Sequence, residues 1–552
     1  MEMLGLVFDS AFEMWAFWAA VLALSVFLLG GLFIITRPQP EVIGHPKGLF
    51  LLFLAEMWER FSYYGMRALL IFYLVQHWLF TDSEASIIYG AYTALVYIAP
   101  VVGGYLADRY LGQRKAVLFG AILLTFGHFF MAFEGTGGQD DPTINIFWLA
   151  LALIIVGSGF LKANISVLVG QLYPRTDVRR DPAYTIFYMG INVGAATASI
   201  ICGFLGQTYG WEYGFGLAGI GMLIGTVFFV LGKPLLLGKG EPKNPEALKG
   251  GKEFGIYGAG LAMVALCWLA IQYQDLVGWV LAVFGLGLVS YVLYIAVARL
   301  PRDERDRIFA AMFLIFVSIV FWALFEQAGS SLNLFTDRHV DTQGVNASMF
   351  QSINAIYIVL LAPVFAMIWQ GLARRGKEPS TPLKFGLAVV QVGLGFLVLV
   401  WGAGTVGIDV PTPVIFIFLI YLLHTTGELC LSPVGLSAMN RLSPAHMASL
   451  VMGTWFFASA TGNFAAGLIA AATGAEGLDE AAGKQVVLDV YSTVGWTAVG
   501  IGVVVMVISP FVKKLMHLDT IVDEDTALEG EAGAGIEAQE AGVHPTTKPT
   551  HG

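Results

Sequence analysis

Seven ionisable side chains stand inside long apolar stretches of the chain: Glu56, Glu59, Arg60, Arg67, Lys162, Glu326 and Glu428. An ionisable group near the centre of a bilayer costs about 2.5–3.5 kcal/mol on insertion scales, and such groups face a cavity and mark ion or substrate paths. The plainer reading, a buried ion pair that fixes helix packing, accounts for one pair more readily than for seven groups. Their spacing carries more. Glu56, Arg60, Tyr63 and Arg67 step by four, three and four, which is one face of a helix. Glu59 and Tyr64 flank that stripe. Counted from opposite membrane surfaces, Lys162 falls at the level of Glu56 to Arg60, and Glu326 falls in the half that holds Arg67. Glu56 and Glu59 are therefore expected to meet Lys162, and Arg67 to meet Glu326. A cavity with both signs of charge suits a zwitterion. Arg60 and Lys162 could take a carboxylate, the guanidinium gripping it with two parallel bonds, and Glu428 could take an ammonium. Carboxylates in a cavity that dries can bind and release protons, so Glu56, Glu59 and Glu326 are the candidate proton carriers.

Those residues need helices long enough to span a membrane, and the composition supplies them. The chain has 552 residues, 57% hydrophobic and only 13% charged, with a mean hydropathy of +0.72. Soluble proteins carry about 25% charged residues, so a water-soluble domain structure is excluded. Cys202, Cys267 and Cys430 lie in apolar runs, which implies neither a disulfide framework nor a zinc site. No metal or cofactor is expected, and the net charge of −10 does not argue for nucleic acid.

Apolar runs of roughly 20 residues recur near 12–36, 49–76, 85–107, 116–133, 146–172, 184–206, 214–232, 254–273, 277–298, 308–332, 347–370, 385–403, 413–438, 446–470 and 490–512. They lack the alternation of an outer-membrane barrel, so the predicted fold is an all-α polytopic membrane protein with about fifteen spans. Most of the 30 Lys and Arg residues gather in alternate segments, at 37–47, 109–115, 175–180, 233–252, 299–307, 374–384, 441 and 513–514. The intervening loops hold only Arg338 and Lys484 and carry acids such as Asp82, Asp140, Asp141, Asp409 and Asp479. By the positive-inside rule the first set is cytoplasmic, which places the C-terminus inside and the N-terminus outside. Residues 1–11 lack the basic start of a secretory signal, so the run at 12–36 reads as an uncleaved extra helix. The segment 519–552 is acidic, rich in Gly and Ala and without apolar periodicity, and is expected to be a disordered tail. A weak repeat relates GGYLADRYLGQRK at 103–115 to GLARRGK at 371–377. It suggests two six-helix halves, at 48–232 and 308–515, with an inserted helix pair at 254–298.

At Glu56-Met57-Trp58-Glu59-Arg60-Phe61-Ser62-Tyr63-Tyr64-Gly65 the sequence resembles the ExxERFxYYG signature of proton-dependent oligopeptide transporters, a family of the major facilitator superfamily. Further matches follow in order: the superfamily loop motif at Gly103–Lys115 with Asp108 and Arg109, Lys162-Ala163-Asn164-Ile165-Ser166, and Phe187-Tyr188-Met189-Gly190-Ile191-Asn192. Phe350-Gln351-Ser352-Ile353-Asn354 and Gly427-Glu428-Leu429-Cys430-Leu431-Ser432-Pro433 complete a resemblance that covers 48–515. It implies the major facilitator fold, with the inserted pair often seen in bacterial members, and proton-coupled import of di- and tripeptides. The resemblance further implies that Glu56, Glu59, Arg60, Lys162 and Glu326 couple protons to substrate. Arg60 and Lys162 would lie near the peptide carboxylate, Asn192, Asn354 and Glu428 near its amino end, and Arg67 would pair with the outer proton site Glu326. Tyr63, Tyr64, Tyr188, Ser432 and Trp455 would line the site, as would Tyr97, Trp322 and Phe456 unless these merely pack.

Ala163 and Ala355 stand where the family commonly has Pro, which bears on local helix bending. The segment 404–412 is too short for the large outer domain of animal members, which points to a bacterial inner membrane. His128 and His424 read as hydrogen-bonded packing residues. An enzyme is disfavoured: no HExxH metal site is present, and GLAGIG at 216–221 follows no strand. The remaining alternatives are a related carrier of nitrate, an amino acid or a peptide-like drug, and a transporter-like membrane sensor. Glu428 opposes the nitrate reading, because it would repel an anion.

Overall fold

The computed structural model describes residues 2–518 apart from 175, 176, 178, 243–247, 249 and 250. The basic-loop positions Arg175, Lys243 and Lys249, and the acidic segment 519–552, lie outside the described residues. Each predicted apolar run falls on a helix. The first eight helices are α1 (Ala11–Thr36), α2 (Lys47–Phe72), α3 (Asp82–Leu106), α4 (Gln113–Met131), α5 (Ile144–Gln171), α6 (Arg180–Tyr209), α7 (Trp211–Leu231) and α8 (Lys252–Gln272). Then come α9 (Gln274–Arg299), α10 (Arg302–Phe325), α11 (Ser331–His339), α12 (Ser352–Arg374), α13 (Thr381–Val406), α14 (Ile415–Leu442), α15 (Ala448–Ala471) and α16 (Glu480–Leu515). Among the described residues, thirteen helical stretches are long and apolar enough to cross a membrane. The helix α2 is not among them, because the charges that make it interesting spoil its hydropathy.

Helix starts follow local chemistry. Thr81 and Glu84 close a reciprocal capping box on α3, with Glu84 N–H donating to Thr81 Oγ1 at 3.2 Å and Thr81 N–H to the Glu84 carboxylate at 3.0 Å. Asp479 caps α16 by accepting the Ala482 N–H at 2.8 Å. The helix α16 starts ten residues ahead of the predicted run, and its added turns carry Glu480, Lys484, Gln485 and Asp489. The seventh core span is broken: α10 ends at Phe325, a tight turn runs Glu326–Gly329, and α11 resumes at Ser331.

Lipid tails give helices no hydrophobic reason to associate, so close packing of small residues does that work. A Cβ on Gly103 would lie 2.2 Å from the Gly159 carbonyl oxygen, and one on Gly120 would lie 2.5 Å from that of Gly157. These contacts lock α3 and α4 onto α5. The helices α2 to α7 form one group of six, and the spans built from α10 to α16 form a second. The groups meet where α3 crosses α15 and α6 crosses α12. The inserted pair spans the seam, α8 lying on α5 and α9 on α15 and α10. The extra helix α1 packs on α6 and α2. The repeat loops occupy equivalent places, 103–115 between α3 and α4 and 371–377 between α12 and α13.

One end of the bundle carries the basic loops. There Arg114 forks onto Glu241 at 2.5 and 3.2 Å, and Lys115 reaches Glu253 at 2.7 Å, tying the motif loop to the linker and to α8. The other end, poor in bases, holds the contacts that join the two halves. Asp82 pairs with Arg338, Ser83 N–H donates to Glu476 at 3.1 Å, and Ser83 Oγ donates to the Ala471 carbonyl at 3.0 Å. Gly90 and Gly467 touch backbone to backbone: a Cβ on Gly90 would lie 2.7 Å from the Gly467 Cα. Asn333 Nδ2 donates across the seam to the Ala68 carbonyl at 3.2 Å. The halves are thus closed against each other at the base-poor end.

Candidate functional site

The helix α2 is buried almost throughout, so its polar stripe faces protein on every side. Arg60 Nε donates to Glu56 Oε1 at 2.7 Å and stands 3.1 Å from Glu59 Oε2. All three side chains are at most 1% exposed. The carboxylates therefore take their cation from their own helix, one turn away, where the geometry costs little side-chain entropy. The sequence also brings Lys162 to these two acids. Lys162, on α5, sets its Nζ 3.9 Å from the centroid of the Tyr63 ring and 5.9 Å from that of Tyr97, within electrostatic range of Glu56. A cation over an aromatic face is held by the ring quadrupole, so Lys162 is anchored beside the cluster and adds its charge to it. Glu56 Oε2, both Glu59 oxygens and Arg60 Nη1 are buried without a hydrogen bond among the described residues. Such atoms are costly in a dry interior, and they are where a ligand or a proton would find partners.

Higher on the same face, Arg67 pairs with Glu326, the first residue of the break in the seventh span. Arg67 Nε also donates to Tyr89 Oη on α3 at 2.6 Å. This junction lies on the seam between the halves, and the turn at Glu326–Gly329 is what lets the carboxylate leave its helix line and reach α2. Tyr63 and Tyr64 meet edge to face at 5.4 Å below it.

On the opposite half, Asn354 Nδ2 donates to Glu428 Oε2 at 3.0 Å and approaches Thr425 Oγ1 at 3.1 Å. Glu428 is 3% exposed. Asn192 and Tyr188 share a turn of α6, the amide donating to the Tyr188 carbonyl at 3.2 Å, and both are buried. Ser432 and Trp455 are fully buried, Trp455 against Phe385 and stacked over the space beside Gly435. Trp322 packs between Phe321 and Phe325, and Phe456 is buried. His424 is a packing histidine, Nε2 3.1 Å from the Val392 carbonyl and its ring on Phe396. His128 is different: neither ring nitrogen has a hydrogen-bond partner among the described residues, so it is not the hydrogen-bonded residue expected. The helix α5 runs unbroken through Ala163, and α12 through Ala355.

Two residues of the constellation escaped the sequence reading. Tyr89 sits in the outer half of its span, at the depth that already matched Arg67 with Glu326, and the same count would have reached it. Thr425 lies three residues before Glu428, on the same face of α14.

A buried carboxylate–guanidinium cluster on one half, a carboxylate–amide pair on the other and a charged junction between them define a polytopic helical membrane protein of the major facilitator fold. The sequence matches the PTR2 profile, described as the POT family, over residues 114–481. It is 38% identical over 465 residues to the "Peptide transporter YePEPT" of Yersinia enterocolitica subsp. palearctica serotype O:3 (strain YE-P4), covering 79% of this chain and 89% of that one. It is 35% identical over 496 residues to the "Uncharacterized transporter YclF" of Bacillus subtilis (strain 168), covering 87% and 96%. The crystal structure of a peptide transporter POT in complex with sulfate superposes with a TM-score of 0.75 at 33% identity, over 88% of this chain and 99% of that one. A POT family transporter in complex with 5-aminolevulinic acid gives 0.75 at 31% identity, over 87% and 99%. The chain belongs to the POT family.

Proposed function

We propose that this protein is a proton-coupled symporter that imports di- and tripeptides across a bacterial inner membrane by alternating access. The observation that carries the reading is the pairing of opposite poles in one core: Arg60 and Lys162 on one half, Glu428 with Asn354 on the other. A short peptide presents a carboxylate and an ammonium at its two ends, and the poles match them in sign. The relatives point the same way, since those named for a substrate are named for peptides. Glu428 argues against an inorganic anion, and a sensor would bind the peptide without moving it.

Coupling follows from charge counting. Glu56, Glu59, Arg60 and Lys162 sum to zero when both acids are ionised. A proton on either acid leaves the cluster at +1, which the peptide carboxylate neutralises; losing the proton on the far side removes that attraction and releases the peptide. Arg67 and Glu326 act as an outer latch, parting when Glu326 takes a proton. In this reading the base-poor end faces outside, the C-terminus lies in the cytoplasm, and the described conformation is closed outward. The test is uptake into liposomes driven by a pH gradient. Di- and tripeptides are expected to compete for the labelled substrate, and tetrapeptides and nitrate are not. Accumulation indifferent to peptides, or absent with a gradient present, would refute the proposal.

A further inference from the structure

The segment ahead of α2 lies outside the family resemblance, yet its first turns are built into the seam. Phe8 is buried and stacks on Phe204 of α6, centroids 4.7 Å apart, while its edge meets Phe17. Val7 N–H donates to Tyr209 Oη at 2.7 Å, where α6 ends. Those contacts belong to the first half. Glu13, in the first turn of α1, is 1% exposed. One of its carboxylate oxygens accepts the Asp9 N–H at 3.1 Å, and the other accepts the Asn346 N–H at 3.2 Å. Asn346 belongs to the connection between α11 and α12 in the second half, and its side chain donates back to Thr208 Oγ1 of α6 at 2.9 Å. Gly344 of the same connection lies so close that a Cβ there would sit 3.4 Å from Ser10 Cβ. A buried carboxylate stripped of a donor bears its full desolvation cost, so Glu13 resists any motion that carries Asn346 away.

We propose that residues Leu6–Phe17 form a clasp across the outer seam, with Glu13 as its catch, so that α1 biases the carrier toward its outward-closed state. Outward opening must separate α6 from the α11–α12 connection, and the clasp holds both. The inference rests on the alternating-access reading above.

Two measurements on the full-length protein in liposomes test it. Spin labels on cysteines placed at the exposed positions Tyr213 and Leu478, one at the outer end of each half, report the outer separation. Glu13→Gln is expected to raise the widely separated population on the order of tenfold, the scale of a lost charged hydrogen bond, and Phe8→Ala, which unseats the segment that carries Glu13, to raise it as well. The second uses the double substitution Ser10→Cys and Gly344→Cys, whose Cβ separation is near that of a disulfide; because a side chain at Gly344 is strained by its φ of +71°, the reduced pair is the reference for uptake. Oxidation is expected to stop uptake and reduction to restore it. An unchanged distance distribution in both single variants, or uptake by the oxidised pair at its reduced rate, overturns the clasp. Failure of the reduced pair and of the unsubstituted chain alike to accumulate peptide would instead strike the transport reading.

Discussion

Arg60 is the pivot of the charge cluster, since one guanidinium serves two carboxylates that would otherwise repel each other, 2.7 Å from Glu56 and 3.1 Å from Glu59. Removing a partner from a buried pair costs about 3–5 kcal/mol because the remaining charge stays buried. The milder substitution Glu59→Gln keeps the shape and removes the proton site. It is expected to abolish proton-driven accumulation while leaving peptide counterflow largely intact; equal loss of both would remove Glu59 from the coupling step. Glu428 makes a different prediction. With Asn354 it offers a pole for an ammonium, so Glu428→Gln is expected to weaken competition by ordinary dipeptides at least tenfold and to leave competition by N-acetylated dipeptides nearly unchanged. A uniform loss for both would mean that Glu428 holds the fold and not the amino end. The chemistry at this scale was legible from side-chain type and depth: a Glu or Arg in an apolar run is conspicuous, and antiparallel counting brought Arg67 to Glu326. Less legible was the bond within one helix, from Arg60 to Glu56 four residues away, because the depth count that brings Lys162 to the same acids says nothing of it.

At the scale of elements, the site depends on where helices stop and how closely they cross. Apolar runs announced every span, since lipid demands about twenty such residues. The break at Glu326–Gly329 was not announced: Glu-Gln-Ala-Gly contains no proline, and what holds the turn is packed around it, Arg67 on Glu326 and the Ala466 carbonyl accepting from Gln327 Nε2 at 2.9 Å. Crossings were equally silent, because a glycine in a membrane helix does not say which neighbour it admits. Gly90 admits Gly467 at the outer seam. Gly90→Ala is therefore expected to hold the outer ends apart and to speed modification of a cysteine placed at Ser331, which lines the outer pocket, by a membrane-impermeant thiol reagent. Unaltered labelling would show that the seam yields without cost. The α4–α5 loop offers a pH prediction. Hydrogen bonds from the Thr143 N–H and from Thr136 hold the Asp141 carboxyl well below the usual carboxylate range. A depressed folded value means that its stabilisation is present above the ordinary aspartate pKa of about 3.9 and fades only as pH falls through the lower folded value. Amide exchange at Thr136 and Gly137, whose N–H groups donate to Asp141, should be slow and otherwise flat from neutral pH to about 4 after correction for intrinsic rates, and fast throughout in Asp141→Asn.

The whole molecule is a seam with unequal ends. Hydrogen bonds, the Asp82–Arg338 pair and the Arg67–Glu326 junction gather at the base-poor end, while at the other end the motif loop is tied to the linker and the inserted pair, Arg114 to Glu241 and Lys115 to Glu253. In the proposed cycle only the whole chain converts that asymmetry into work, because a proton bound near Glu56 and Glu59 would have to leave toward the side opposite the one it came from. A zwitterionic peptide is neutral, so each cycle moves the net charge of its protons. One charge moved down ~100 mV yields about 2.3 kcal/mol, enough to concentrate a neutral solute roughly fifty-fold. Addition of a neutral dipeptide to protein on a supported membrane, with equal pH on both faces, is therefore expected to give a transient current of positive charge in the direction of peptide movement. Glu59→Gln should leave at most a small binding displacement. An electrically silent cycle in the unsubstituted protein would require a compensating ion, for which the core charges Glu56, Glu59, Arg60 and Lys162, balanced at zero before proton uptake, provide no place.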